Sequence, residues 1–216
     1  MPRNTSSKPT SHRTLRSQKD LLEGTTWLAE QEPRFAYALS RIDPPQLRER
    51  PDGFVALLKS IVSQQVSTAA ASAILGRLEG ANLMTESAIL STDLETLRTY
   101  GVSRQKAGYL RAIAEAGVDY VALRRASTEE VVEILVNLKG VGVWTAEIYA
   151  MFALGRADAF AAGDLGLQQG ARLLFDLPEK PTERELRERA EAWSPWRAVA
   201  ARILWSYYDN AKSTRA

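Results

Sequence analysis

Asp164 stands in the run Gly163-Asp164-Leu165-Gly166, 22 positions after the second glycine of Leu138-Lys139-Gly140-Val141-Gly142-Val143-Trp144-Thr145-Ala146. Between two helical patterns, Gly-Val-Gly turns the chain without side-chain bulk at two positions, so backbone N–H groups and a helix N-terminus can approach a phosphate closely. Lys139 adds a positive charge beside them, which predicts a grip on a nucleic-acid backbone; the same tripeptide also simply joins helices in many proteins. Asp164 precedes a helical run and suits an N-cap. Capping and catalysis are compatible, because a carboxylate held by backbone N–H groups is already aimed at a developing cation. Glycosidic cleavage passes through an oxocarbenium-like sugar, which one carboxylate can stabilise while directing water; a second acid is dispensable when the leaving base is already cationic, as an N-alkylated purine is.

A cationic base would need aromatic walls. Trp27, Trp193 and Trp205 lie at helical spacing and read as core. Trp144 opens the helix after the hairpin and Trp196 follows Pro195, so both can face a pocket at a junction. A cation between two such faces gains of order 1–2 kcal/mol where desolvated. Tyr149 and Phe160 read as core, with pocket lining as the alternative. The polar break Ile61-Val62-Ser63-Gln64-Gln65-Val66-Ser67 between two apolar helical runs is either a tight turn or a wedge, in which a side chain such as Gln65 fills the gap a flipped base leaves.

The scaffold for these residues reads as all-α, because apolar residues recur at three and four positions and β-branched alternation is missing. Helices are predicted at 20–30, 33–41, 52–63, 67–79, 86–90, 93–99, 103–116, 118–124, 127–136, 143–154, 165–175, 182–192 and 195–209. Ser127 with Glu130 and Thr182 with Glu185 have capping-box spacing, and Pro195 suits a first helical turn. The connection from Gly155 to Gly163 is a candidate lobe junction. It divides a central lobe, 50–153, containing the hairpin at 127–153, from a second lobe, 20–49 plus 154–216, carrying Asp164.

Composition narrows the chemistry further. The chain has 216 residues, 45% of them hydrophobic, enough for a sizeable core. It has no cysteine, which excludes disulfides, thiolate zinc, cysteine nucleophiles and cysteine-held iron–sulfur clusters; its single histidine, His12, lies in a polar stretch, too little for a histidine-based triad or metal site. No apolar run reaches the roughly 20 residues of a membrane span, and no secretory apolar segment opens the chain, so a cytoplasmic protein without a membrane partner is expected. The net charge is +2, but residues 1–20 carry five basic residues and one acid. Residues 1–19 therefore read as a disordered basic tail, either a plain solubilising terminus or a source of non-specific attraction to phosphate. A nucleic-acid reading must rest on a local patch and on backbone donors.

Together these residues resemble the helix-hairpin-helix DNA glycosylase superfamily, and within it the branch that excises alkylated bases, the 3-methyladenine DNA glycosylase II type. The resemblance runs over about residues 50–209, on Leu57 to Ser67, Gly101-Val102-Ser103-Arg104-Gln105-Lys106-Ala107, Leu138 to Ala146, Asp164-Leu165-Gly166 and Trp193-Ser194-Pro195-Trp196-Arg197. It implies a two-lobed all-α fold with the active site in the cleft between lobes, and Asp164 as the catalytic aspartate. Trp144 falls where relatives with lyase activity carry a Schiff-base lysine, which implies a monofunctional enzyme. Trp196 matches an aromatic wall of the base pocket, and Gln65 the intercalating position, with Gln64 beside it. Gly140, Gly142, Lys139 and Thr145 are expected to contact DNA at the hairpin. Relatives often hold a monovalent cation on the hairpin carbonyls; no other metal and no cofactor is expected. Ala161 stands where relatives often have proline, and Gly163 where many have a second acid. The implied partner is double-stranded DNA containing damaged bases, bound by a monomer. Rival readings are a glycosylase for oxidised or mismatched bases, a non-catalytic DNA-damage binder using the same hairpin, and a purely structural or protein-interaction domain.

Overall fold

A computed structural model describes residues 13–47 and 51–213. Thirteen α-helices form within them: α1 (Gln18–Gln31), α2 (Pro33–Leu39), α3 (Phe54–Ser63), α4 (Thr68–Gly80), α5 (Glu86–Ser91), α6 (Leu94–Thr99), α7 (Arg104–Glu115), α8 (Tyr120–Arg125), α9 (Thr128–Val136), α10 (Val143–Phe152), α11 (Leu165–Leu174), α12 (Glu183–Ala190) and α13 (Arg197–Ser213). No β-strand forms among the described residues, and none of their helices is long and apolar enough to cross a membrane. The all-α expectation holds, and each expected helix is present.

Side-chain capping punctuates this series. Ser127 with Glu130 and Thr182 with Glu185 close both expected capping boxes, and Ser17 with Asp20 closes a third at α1. Ser67, Thr85, Asp93, Ser103 and Asp119 each accept a backbone N–H at the start of α4 to α8. Each such cap is worth about 1 kcal/mol, so short helices that would be marginal alone have defined starts.

Packing gathers the helices in two sets. In one, α7 packs on α3, α5 and α6, while α10 packs on α9 and α3; in the other, α13 packs on α11, α2 and α1. The α10 helix is buried along Thr145 to Met151. It carries Glu147 inside, paired at 2.7 Å with Arg187 of α12. Burial pushes the Glu147 carboxyl above its usual range, and the Arg187 guanidinium partly offsets that rise.

Two expectations are corrected here. Residues 1–12 lie outside the described residues, but 13–19 do not form a loose tail. Leu15 is buried and donates its N–H to the Gly155 carbonyl at 2.7 Å, and the Arg13 carbonyl accepts the Ala157 N–H at 3.0 Å. The Arg13 guanidinium pairs with Glu23 and lies 4.5 Å from the centre of the Trp196 ring. One apolar side chain and its backbone bonds thus tie a charged segment down. The last helix begins at Arg197, after a cis Ser194–Pro195 bond, so Pro195 precedes the helix.

Candidate active site

A cleft of about 1290 Å³ runs between the two helix sets, and three helices present one face each to it. From α3 come Ala56, Lys59, Ser60 and Ser63; from α10 come Trp144, Ile148, Tyr149 and Phe152; from α13 come Arg202, Trp205, Ser206 and Asp209. These spacings of three and four are single stripes on helices. The connection from Ser40 to Gln46 closes one side, and Asp164 sits at the start of α11.

Three N–H groups hold the Asp164 carboxylate. Oδ1 accepts from the Leu167 backbone N–H at 2.9 Å, the N-cap bond, and from the Trp205 indole at 2.8 Å; Oδ2 accepts from the Trp144 indole at 3.0 Å. A carboxylate offers about four acceptor sites, so these bonds leave room on Oδ2 for one more donor, such as a water. Asp164 is half-buried and Trp144 is 41% exposed, so the carboxylate has a path to solvent. Gly166 makes the Trp205 contact feasible: a Cβ there would stand 3.0 Å from both Asp164 Oδ1 and Trp205 Cδ1.

Hydrogen bonds and an ion pair fix the loop before Asp164. The Asp164 N–H donates to the Ala161 carbonyl at 2.9 Å and the Gln168 side chain to the Ala162 carbonyl at 3.2 Å. Asp158 accepts two bonds from the Arg197 guanidinium, at 2.8 and 2.9 Å, and one from Ser194 at 2.9 Å. The Trp-Ser-Pro-Trp-Arg run therefore anchors the 155–163 connection to α13. Beside Gly163 the Glu183 carboxylate approaches within 3.1 Å of the Cβ position.

Trp196 is a correction. It is 2% exposed and lines no part of the cleft; a Cβ on Gly24 would come within 2.8 Å of its ring. The cleft wall expected of it is supplied by Trp205, which had read as core. Trp205 stacks on Phe152, with centroids 5.8 Å apart and planes at 28°. The signal lay in the sequence of α13, where Trp205 shares a polar stripe with Arg202, Ser206 and Asp209, while Val199, Ile203 and Leu204 lie on its buried side. Tyr149 combines both readings, lining the cleft with its ring while its hydroxyl donates to Asp52. Burial, and then the Asp52 carboxylate, push that hydroxyl far above an ordinary phenol. Phe160 is core, edge-on to Trp193 at 5.6 Å.

At the hairpin, α9 ends at Val136 and Gly142 caps α10 with no side chain, so the N–H groups of Val143, Trp144 and Thr145 have no side-chain partner at that end. Gly142 and Lys139 are exposed. Thr145 is 3% exposed, so the structure buries this expected DNA contact at the start of α10. Gly140 adopts φ +90°, and a Cβ there would stand 2.4 Å from the Tyr109 ring. Its carbonyl accepts the Gln64 side-chain amide at 3.1 Å, while the Leu138 carbonyl accepts the Val141 N–H at 3.0 Å. Each of these carbonyls has a second lone pair, so both remain suited to a monovalent cation. Gln65, exposed, holds φ +55° between α3 and α4. Among the described residues no group of three or more His, Cys, Asp or Glu side chains could hold a metal ion.

A hairpin between two helices, followed by a carboxylate at the mouth of an interhelical cleft, is the arrangement of a helix-hairpin-helix protein. The model of the HhH-GPD superfamily base excision DNA repair proteins matches residues 58–195, and the chain belongs to this family. It is 32% identical over 197 residues to DNA-3-methyladenine glycosylase 1 of Schizosaccharomyces pombe, covering 87% of this chain and 86% of that protein. Its fold is similar to the crystal structure of a DNA-3-methyladenine glycosidase from Bacillus halodurans, with TM-score 0.78 and 34% identity over 94% of this chain and 95% of the other. A Schizosaccharomyces pombe 3-methyladenine DNA glycosylase in complex with abasic DNA gives a TM-score of 0.75 and 29% identity, covering 85% and 95%.

Proposed function

We propose that this protein is a monofunctional DNA N-glycosylase that removes alkylated, cationic purines such as 3-methyladenine and 7-methylguanine from duplex DNA, the first step of base excision repair. The observation that carries this reading is the Asp164 carboxylate, open to a cleft and held by the indoles of Trp144 and Trp205. Relatives named for 3-methyladenine support the substrate class, and the relative seen with abasic DNA supports the product.

The hairpin donors around Gly142, with Lys139, take a phosphate of the damaged strand, and Gln65 enters the stack as the lesion swings out. The base lies in the cleft lined by lobes 50–153 and 20–49 plus 154–216, against Trp144 and the Trp205–Phe152 stack. The C1′–N bond breaks with its electron pair moving to the base, which leaves neutral. Asp164 stabilises the oxocarbenium and orients a water at Oδ2; the water oxygen bonds to C1′ and its proton passes through Oδ2 to solvent. Free purine and an abasic site result. One chain encloses the whole cleft, so a monomer is the working unit.

Methylated duplex DNA incubated with wild type and with Asp164→Asn tests this. Asparagine caps a helix as well as aspartate does, so the fold is retained, while base release falls by about 10²–10³. Equal release by both proteins removes Asp164 from the reaction. Because Lys59 lines the cleft, borohydride trapping on abasic DNA checks the monofunctional reading, with no covalent adduct expected.

A further inference from the structure

Lys106 lies on α7, outside the cleft, and its ammonium reaches across to the end of α3. It donates to the Val62 carbonyl at 2.7 Å and to the Gln64 carbonyl at 2.6 Å. Those two oxygens flank Ser63, at the point where the chain leaves α3 for the turn that puts Gln65 at φ +55°. A left-handed conformation at a non-glycine residue persists only where its surroundings fix it, and bonds from one cation to the carbonyl immediately before it are such a constraint.

The same helix face holds the hairpin. Tyr109, one turn beyond Lys106, packs under Gly140 and accepts a bond from Gln105 at 2.7 Å. Gln64 closes the triangle through its 3.1 Å bond to the Gly140 carbonyl. The turn carrying Gln65 and the turn carrying Gly142 are thus braced against one helix and against each other. Lys106 is half-buried and forms no ion pair among the described residues, so its charge is answered by carbonyl oxygens alone. Burial lowers its pKa accordingly. A methionine would fill the same space without that cost, so packing does not explain the ammonium.

We infer that Lys106 is a positioning residue for base flipping: by clamping the Val62 and Gln64 carbonyls it holds the Gln65 turn ready to enter the duplex in fixed register with the phosphate-gripping hairpin. This rests on the proposed wedge role of Gln65. The reaction at C1′ is untouched by it, so Lys106 acts on how often the lesion is presented and not on how fast a presented lesion is cleaved.

The test is a cycle of Lys106→Met, Gln65→Ala and the double variant, read as single-turnover release of 7-methylguanine paired with cytosine. Each single variant is expected to be about tenfold slower, and the double variant no more than about twofold slower than Gln65→Ala, because both act through one turn. Lys106→Arg, which keeps two donors at this reach, is expected to recover most of the rate. A lesion placed opposite an abasic analogue has no pairing to break, and there Lys106→Met should match wild type within about twofold, which a poorly folded protein would not do. Multiplying losses in the double variant, or an equal deficit on both duplexes, would overturn the positioning role while leaving the wedge intact. A wild-type rate for Gln65→Ala sinks the wedge reading and this inference with it, and the Asp164 chemistry still stands or falls separately.

Discussion

The Trp205 indole N–H lies 2.8 Å from Asp164 Oδ1, although 41 residues separate the two in the chain. The carboxylate belongs to the start of α11 and the indole to the middle of α13, so the rotation of one helix on the other decides whether the bond exists. Gly166, the second residue of α11, is what lets the indole come close enough. Trp144 completes the grip from α10 across the cleft. A side chain that could have served only as a helix cap is thereby fixed at the mouth of a cavity.

Replacing Trp205 by phenylalanine keeps the stack on Phe152 and removes the donor. A hydrogen bond to a charged group is worth about 1.5–3 kcal/mol, so the chemical step should slow by roughly tenfold to a hundredfold. Affinity for a duplex with an abasic analogue should stay within about threefold. Trp196→Phe should behave oppositely, lowering stability by about 1–2 kcal/mol with the excision rate unchanged. Single-turnover assays beside urea melts separate the two, and a slowed Trp196→Phe with intact stability would return Trp196 to the pocket.

Gly140 and Gly142 separate conformation from access. An alanine at 140 meets both the φ of +90° and the Tyr109 ring, and should cost about 2–3 kcal/mol of stability. At 142 the backbone is ordinary and nothing lies within 4 Å of the Cβ position. Gly142→Ala should therefore fold within about 0.5 kcal/mol of wild type yet bind an abasic-analogue duplex about tenfold more weakly, since the methyl group stands where phosphate must approach. Wild-type binding by Gly142→Ala would show that no phosphate sits on this turn.

Glu147 and Arg187 give a pH signature. Burial raises the Glu147 carboxyl above its ordinary 4.5, so folding favours its protonated form; its contribution is complete below about 4.5 and is lost as pH rises through the raised folded value. Arg187→Ala removes the offsetting cation and lifts that value further. The variant should match wild type near pH 4 and fall about 2 kcal/mol behind at pH 7.5, less than a fully buried pair would lose because Arg187 is 42% exposed. Denaturant midpoints at the two pH values decide, and a deficit independent of pH would point to lost packing of the arginine stem.

Much of this protein was written locally. The helix starts follow from Ser, Thr and Asp caps, and the hairpin follows from Gly-Val-Gly between two periodic runs; both involve residues within four positions of each other. Asp164 was legible for the same reason, as an acid opening a helix. The order of these motifs placed the chain in its family, because a spacing of motifs is a property of the chain before it folds.

The rest depends on how helices rotate against one another. Trp205 shares a polar stripe with Arg202, Ser206 and Asp209, but only the seating of α13 on α11 brings its indole to Asp164, and only packing against Gly24 of α1 takes Trp196 out of the cleft. Leu15 ties down a segment whose charge predicted a loose tail, because its partner is Gly155, 140 positions away in sequence. Thr145 is buried because α10 is covered from Thr145 to Met151, and Lys106 finds the Gln65 turn because α7 packs on α3. Periodicity shows that a helix has a buried face; which neighbour covers it, and therefore which side chains meet, is settled by packing alone.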